Sequence, residues 1–423
     1  MNVVEELLVR LLGFKDYFVP RGTLYVVVAI LLLLLVGLPL LSYDTFILVL
    51  ALTLPILMLP LLTLPLVYRS QISIYRKTRS GVAGSTANVE LILRNKSNIP
   101  LIVVVEESSR SLRFNNRHVI GISAKGTRKL TYGVRGRTGK HRLYSKITVL
   151  DPLGVIGVEK KNAVTGDDSI RFKPRVLALK GLLSGVFTQT VPGGGFRGNL
   201  KGLGYDFYGL RKYIYGDPIK LVDWKTSARW RELFVKEYVL EAGIRVLLAL
   251  LLTSKSFDGE PSFFEEAADA IVSVMDKLLA SGSSVGFVVG SPLYNGLVGV
   301  GRGKIILESS LEIISNVPWI NNGNVDLDLF IKNILKASRH PRNTKLILLT
   351  QSLNYLGEEL YYRILRLRRT GFEKINILVV EETPYPLPEL YVLLEKNGVK
   401  VTSLRSVSRN ILGEKILEAI GMG

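Results

Sequence analysis

The stretch that decides the fold of the C-terminal half is IRVLLALLLT, Ile244 to Thr253, an apolar run interrupted only by Arg245. Such a short run is typical of a strand that is buried on both faces of a parallel sheet. Strand and helix patterns alternate downstream of it. We predict further strands at 284–289, 345–350 and 375–380, and helices at 262–281, 308–317, 327–337, 358–369 and 388–396. The alternation predicts a doubly wound α/β domain over residues 244–423.

Residues 71–177 have a different periodicity, in which apolar and polar residues alternate. Short β-branched segments such as ANVELILRN and PLIVVVEES are separated by Gly, Asn, Ser and Pro. This pattern predicts a β-sandwich-like domain. Between Arg110 and Arg142 there are ten Lys or Arg and no acidic residue. That excess indicates either a basic face for a partner or a solvated strand face.

The N-terminal residues 1–70 are the most apolar part of the chain. Two uncharged runs, 23–41 and 46–67, are each close to the length of a membrane-spanning helix. We therefore predict an interfacial helix followed by a two-helix transmembrane hairpin. Basic residues precede and follow the hairpin while its turn holds only Asp44, which predicts that both termini are cytoplasmic. The expected fold class is a multi-domain, multi-pass protein of the cell membrane.

Composition limits the possible chemistry. The chain has no cysteine, and its three histidines, His118, His141 and His340, are far apart in the sequence. Disulfides and thiolate sites are excluded, and a zinc site or a Ser-His-Asp triad is hard to assemble. We expect no cofactor. The net charge of +19 favours an anionic partner, and membrane lipid is preferred over nucleic acid because a membrane anchor is predicted.

The most distinctive segment follows a loop within residues 178–243. It reads GYDFYGLRKYIYGDPIKLVDWKTSARWRELFVKEYVLE, Gly204 to Glu241, and is called the signature segment here. Aromatic and charged residues alternate too closely for a plain amphipathic helix. One interpretation is a structural clasp in which the charges pair with one another. The other is a docking surface for another protein. We expect a mixture of the two, with Asp223 and Trp224 inside and structural and with Arg211 and Arg229 nearer the surface.

Several short motifs carry a family resemblance. They are Leu210-Arg211-Lys212-Tyr213, Gly216-Asp217, Asp223-Trp224-Lys225, Ser227-Ala228-Arg229 and Val235-Lys236-Glu237-Tyr238, with Arg135-Gly136 and Asp151-Pro152-Leu153-Gly154 upstream. In these the chain resembles the "domain of unknown function 58" family. The resemblance implies a membrane hairpin, a β domain and a von Willebrand factor A-like domain. It also implies a link to MoxR-type AAA+ ATPases, because family members are commonly encoded beside them.

The von Willebrand A-like resemblance further implies where a magnesium site would lie. Its Asp-x-Ser-x-Ser motif corresponds to Leu252, Ser254 and Ser256, and the later positions correspond to Thr350 and Gln351. Since Mg²⁺ prefers carboxylate oxygens and both expected carboxylates are missing, we predict a degenerate site without metal. Asp258 is a nearby residue that could in principle replace a missing carboxylate.

These observations lead to a function hypothesis. We expect a non-enzymatic, membrane-tethered cytoplasmic scaffold or adaptor that works with a MoxR-type AAA+ ATPase in assembling or maturing an unknown client protein. The alternatives are a membrane-proximal nucleic-acid-binding protein, supported only by charge, and an unrecognised hydrolase.

Overall fold

The computed structural model separates the chain into two compact units, residues 1–172 and 173–423. The boundary between them, after residue 172, lies five residues before the predicted end of the β domain at residue 177. The structure describes residues 17–18, 47, 51, 69, 71–151, 157–160, 163–179, 201–202, 206–215, 217, 219–239, 244–319, 323–351, 357–381, 388–405 and 409–421.

The prediction of a transmembrane hairpin requires a correction. Among the described residues, no helix combines the length and the apolar character that crossing a membrane demands. This finding contradicts the two-helix transmembrane hairpin and the multi-pass membrane location based on it. The runs 23–41 and 46–67 themselves lie outside the described residues, apart from Ile47 and Ala51, as does the predicted interfacial helix.

The complete elements that the structure describes in the first unit are strands. They are β1 (Tyr17–Phe18), β2 (Ile72–Thr78), β3 (Gly81–Val82), β4 (Thr86–Asn95), β5 (Leu101–Ser109), β6 (Phe114–Ile122), β7 (Thr127–Arg135), β8 (Gly139–Arg142), β9 (Tyr144–Leu150), β10 (Gly157–Glu159), β11 (Val164–Gly166) and β12 (Ser169–Lys173). Two sheets, in the orders β1-β10-β9-β5-β6 and β11-β2-β4-β7, are accompanied by a small sheet β3-β12-β8. Alternate residues of the strands, such as Val89 and Leu91 on β4 and Val103 on β5, share one buried core.

A buried ion pair joins the two larger sheets. Arg76 on β2 donates a hydrogen bond to Glu107 on β5 over 2.7 Å, and only 3% and 0% of the two side chains are exposed. Tyr132 and Ser145 also donate their hydroxyl groups to the Glu107 carboxylate. Burial and the neighbouring carboxylate raise the pKa of Tyr132, which therefore stays a donor. The pair is a buried polar connection between the two sheets.

The second unit contains the signature segment and the α/β domain. Its elements are β13 (Lys201–Gly202), β14 (Asp206–Lys212), α1 (Trp224–Trp230), β15 (Phe234–Val239), β16 (Arg245–Leu251), α2 (Phe263–Ala280), β17 (Ser284–Ser291), β18 (Tyr294–Gly301), α3 (Lys304–Ser315), α4 (Leu327–Ser338), β19 (Lys345–Thr350), α5 (Gly357–Arg369), β20 (Ile375–Glu381), α6 (Pro388–Lys396), β21 (Lys400–Arg405) and α7 (Arg409–Gly421). Short 3-10 turns occupy Ile219–Leu221, Ser254–Phe257 and Pro341–Asn343.

The α/β domain is built on a six-stranded sheet in the order β18-β17-β16-β19-β20-β21. All its neighbouring strands are parallel except the edge pair β17 and β18. Helices α2, α3 and α7 pack on one face through residues such as Phe264, and α4, α5 and α6 pack on the other through residues such as Phe330. The strand order reverses between β16 and β19, so the crevice at their carboxyl ends is the topological switch point.

Local signals set the ends of two elements in this domain. A capping box starts α2, because Ser262 and Glu265 each bond the other's backbone, and Gly282 follows the helix with φ of 79°. The hairpin of β17 and β18 turns at Pro292 and Leu293, and Gly299 and Gly301 extend β18 before α3 begins at Lys304.

Candidate docking surface

The signature segment supplies β14, α1 and β15 to a small structure that we call the frame, in which β15 lies between β14 and the short preceding strand β13. Three further hydrogen bonds secure the connection between β14 and β15. The Tyr213 amide donates to the Leu233 carbonyl, and the Asp223 amide donates to the Phe234 carbonyl, both over 2.8 Å. The Phe234 amide donates to the buried Ser227 hydroxyl, also over 2.8 Å. A small side chain at Ser227 lets α1 approach the start of β15 closely.

Arg211 and Asp217 lock the turn that follows β14. The two guanidinium nitrogens of Arg211 donate to the two carboxylate oxygens of Asp217 over 2.6 and 2.7 Å. The Ile214 amide adds a third hydrogen bond to the same carboxylate over 2.9 Å. The Arg211 hydrogen bond, followed by that from Ile214, lowers the pKa of Asp217 to about 2. Asp217 is therefore ionised at neutral pH, where its carboxylate can accept all three hydrogen bonds.

Asp223 has a similar local role at the start of α1. Its carboxylate accepts a hydrogen bond from Thr226 over 2.8 Å and lies 3.8 Å from the Lys236 ammonium group. Lys225 and Arg229 are exposed. Gly216 and the Glu237 side chain lie outside the described residues. The clasp interpretation is thus right for Arg211 with Asp217, but Asp223 pairs with Lys236 rather than with Lys225 or Arg229.

Large apolar side chains cover the outside of this frame. Trp224 and Trp230 at the two ends of α1 are 63% and 67% exposed, and Tyr215 in the turn is fully exposed. The aliphatic residues Ile214, Ile219 and Leu233 are also exposed. The expectation that Trp224 lies inside is wrong, whereas the surface position of Arg229 is confirmed. A concentration of exposed apolar residues on a hydrogen-bonded frame is characteristic of an interaction site.

The residues of the predicted degenerate metal site meet at the switch point of the α/β sheet. Leu251 on β16 is in register with Thr350 on β19, so Leu252 and Gln351 leave the sheet side by side. Leu252 is fully buried in the core, and its amide bonds the Gly290 carbonyl over 2.8 Å.

One serine of the same motif, Ser256, bonds the backbone. The buried Ser256 hydroxyl accepts a hydrogen bond from the Thr253 amide and so helps to cap a 3-10 turn, in which Ser254 is half-buried. Asp258, which ends the turn, is exposed. Within the described part of the chain, no three His, Asp or Glu side chains are grouped as metal ligands would be. That the site binds no divalent cation stays a prediction.

These features define a class of protein: a β-sandwich unit and a doubly wound α/β unit, the latter preceded by a frame with exposed aromatic residues. Residues 209–392 match the family model described as "Protein of unknown function DUF58". The family resemblance that the motifs predicted is thus confirmed over residues 209–392. The match begins within β14 and therefore includes most of the signature segment. No curated protein matches the chain significantly.

Solved structures of several kinds are similar to parts of the chain. The SpRpn10 VWA domain is 14% identical and covers 43% of this chain and 98% of its own, with a TM-score of 0.31. The CARDB domain of a Pyrococcus furiosus protein is 14% identical and covers 23% of this chain and 89% of its own, with a TM-score of 0.17. A non-cellulosomal cohesin from Archaeoglobus fulgidus is 18% identical, with coverage of 24% and 91% and a TM-score of 0.17.

Proposed function

We propose that this protein is a non-enzymatic scaffold or adaptor whose signature segment docks a protein partner. The exposed tryptophans on α1 carry the proposal. Burying a large aromatic side chain stabilises a complex by about 1.5–3 kcal/mol, so leaving two of them in water is costly unless a partner covers them. Tryptophan, tyrosine and arginine are also the residues enriched at interface hot spots. The frame beneath them is closed by hydrogen bonds, which reduces the ordering cost of binding.

The partner that we propose is a MoxR-type AAA+ ATPase, acting with this protein on a client. Its support is the family resemblance alone, because adaptor function does not follow from a fold. The von Willebrand A-like character of the α/β domain is part of the same proposal. It is supported by the parallel sheet with helices on both faces and an antiparallel edge strand.

Co-purification of the co-expressed ATPase tests this function. The double change Trp224→Ala with Trp230→Ala should abolish recovery of the ATPase. It should leave the melting temperature almost unchanged, since substitutions of exposed residues usually alter stability by about 0.5 kcal/mol or less. Tyr362→Ala, at an exposed aromatic residue of α5, is the matched control and should leave recovery intact. Undiminished recovery with the double variant would refute docking through α1.

Arg211→Ala and Arg229→Ala distinguish a residue that supports the frame from one that contacts the partner. Because Arg211 holds Asp217, its loss should loosen the turn and reduce binding indirectly. Arg229→Ala should reduce ATPase recovery without changing the stability of the protein. If both variants lose stability and partner together, the segment is a structural element and the docking proposal loses its support.

A further inference from the structure

Positive charges outnumber negative charges around the exposed aromatic residues. Each acidic side chain that is described in the signature segment has a cation beside it: Arg211 with Asp217, Lys236 with Asp223, and Lys212 with Glu232. Four cations remain exposed and form no ion pair within the described residues, namely Lys220, Lys225, Arg229 and Arg231. The surface that surrounds the aromatic residues is therefore positive.

Helix α1 places two of these cations where they repel each other. Lys225 and Arg229 are four residues apart, so they lie above one another on the exposed side of the helix beside Trp224 and Ala228. Like charges at this spacing destabilise a helix, and a helix of seven residues has little stability of its own. A carboxylate supplied by a partner would remove the repulsion.

Arg231 adds backbone strain to the same place. It follows α1 in the left-handed conformation, with φ of 56° and ψ of 25°, which favours glycine. The sequence has arginine there although glycine would relieve the strain. A side chain that is retained at a cost to the backbone indicates a use for that side chain.

We infer that the signature segment recognises an acidic protein segment that also presents large apolar side chains. The inference rests on the proposed docking function and specifies the chemistry of the partner. The exposed aliphatic residues Ile214, Ile219 and Leu233 favour protein over single-stranded nucleic acid, because bases stack on aromatic rings but gain little from aliphatic side chains. The cations steer the acidic segment and the apolar residues anchor it.

Binding of a random copolymer of glutamate and tyrosine to the full chain tests this inference. The copolymer presents many arrangements of acidic and apolar side chains, so the natural sequence need not be known. The chain has three tryptophans, and the third, Trp319, packs against Phe257 and Phe264 in the α/β core. A change in tryptophan emission, excited where tyrosine does not absorb, therefore reports chiefly on Trp224 and Trp230.

Two pairs of variants separate the site from the overall positive charge of the chain. Lys225→Glu with Arg229→Glu should raise the Kd for the copolymer about tenfold. Lys332→Glu with Lys336→Glu, an exposed pair of cations at the same spacing on α4, makes an equal change in net charge and should raise it far less. Arg231→Gly should weaken binding without loss of stability. Arg339→Gly, at the strained residue that follows α4, should leave binding unchanged.

The outcomes that overturn the inference are distinct. Equal weakening by the two charge-reversed pairs would show non-specific attraction. Equally tight binding of polyglutamate would show that the apolar residues take no part. Tighter binding of oligothymidylate or of phosphatidylglycerol vesicles would assign the surface to nucleic acid or to lipid. If the copolymer binds as expected but no ATPase co-purifies, the ATPase proposal alone fails. If the ATPase is recovered but the copolymer does not bind, the inference fails and the scaffold proposal stands.

Discussion

The ion pair between Arg76 and Glu107 should dominate the response of the β unit to mutation. Glu107→Leu leaves the guanidinium of Arg76 buried without its carboxylate, and such a loss costs about 3–5 kcal/mol. Arg76→Met leaves the opposite charge unpaired and should cost a similar amount. The double change removes both charges, so it should destabilise less than the sum of the two single changes. It should not be neutral, because the Tyr132 and Ser145 hydroxyls lose their acceptor at roughly 1–3 kcal/mol each.

Hydrogen exchange in the native state is the suitable assay, because a chain of two units need not unfold in one step. Backbone amides of β4 and β5 report the free energy of opening this unit alone. A loss of 3 kcal/mol should speed their exchange by more than a hundredfold. The control is Lys129→Met, which breaks an exposed ion pair to Glu90 and should change exchange little. If the free energy of opening falls in the double variant by the sum of the two single decreases, the two residues are not coupled and the reasoning is wrong.

Two further predictions concern the second unit. The carboxyl group of Asp217 should titrate near pH 2 by NMR, and its pKa should shift toward the ordinary value of 3.8 in Arg211→Ala. Because the pKa is lowered in the folded state, the ionised carboxylate stabilises the turn fully above about pH 4, and this stabilisation is lost as the pH falls toward 2. An unshifted midpoint would contradict the ion pair. Gly290→Ala should destabilise the α/β domain by about 1–3 kcal/mol in denaturant titrations, because its Cβ would lie 2.6 Å from the Phe330 ring. Gly299→Ala, which meets nothing closer than 3.8 Å, is the control, and equal losses would refute the steric argument.

The sequence predicts best where a local pattern decides the structure. The apolar run 244–253 contains β16, and the Ser262 capping box sets the start of α2. Local signals are weaker at the end of the chain, where β21 and α7 were not anticipated. The pairing of Arg76 with Glu107 depends on two strands from different sheets, and no local pattern identifies it.

Trp224 shows why side-chain burial was harder to predict at the candidate site. Hydrophobicity places tryptophan inside, but the inner side of α1 lies against β15 and has room only for Ser227. The same close approach that buries the small residue leaves the large one in solvent. The family motifs thus located the segment in the sequence without indicating which of its residues face outward.

The position of β16 in the middle of its sheet has a consequence for biosynthesis. Leu251 meets Gly290 of β17 39 positions later, but it meets Thr350 of β19 only after 99 positions. Closing the longer loop costs only about 0.8 kcal/mol more, so the delay during translation matters more than the entropy. Until β19 has been synthesised, one edge of β16 stays unpaired and apolar, and it could pair with another nascent chain. Premature termination between β18 and β19 should therefore yield an aggregating fragment rather than a smaller domain.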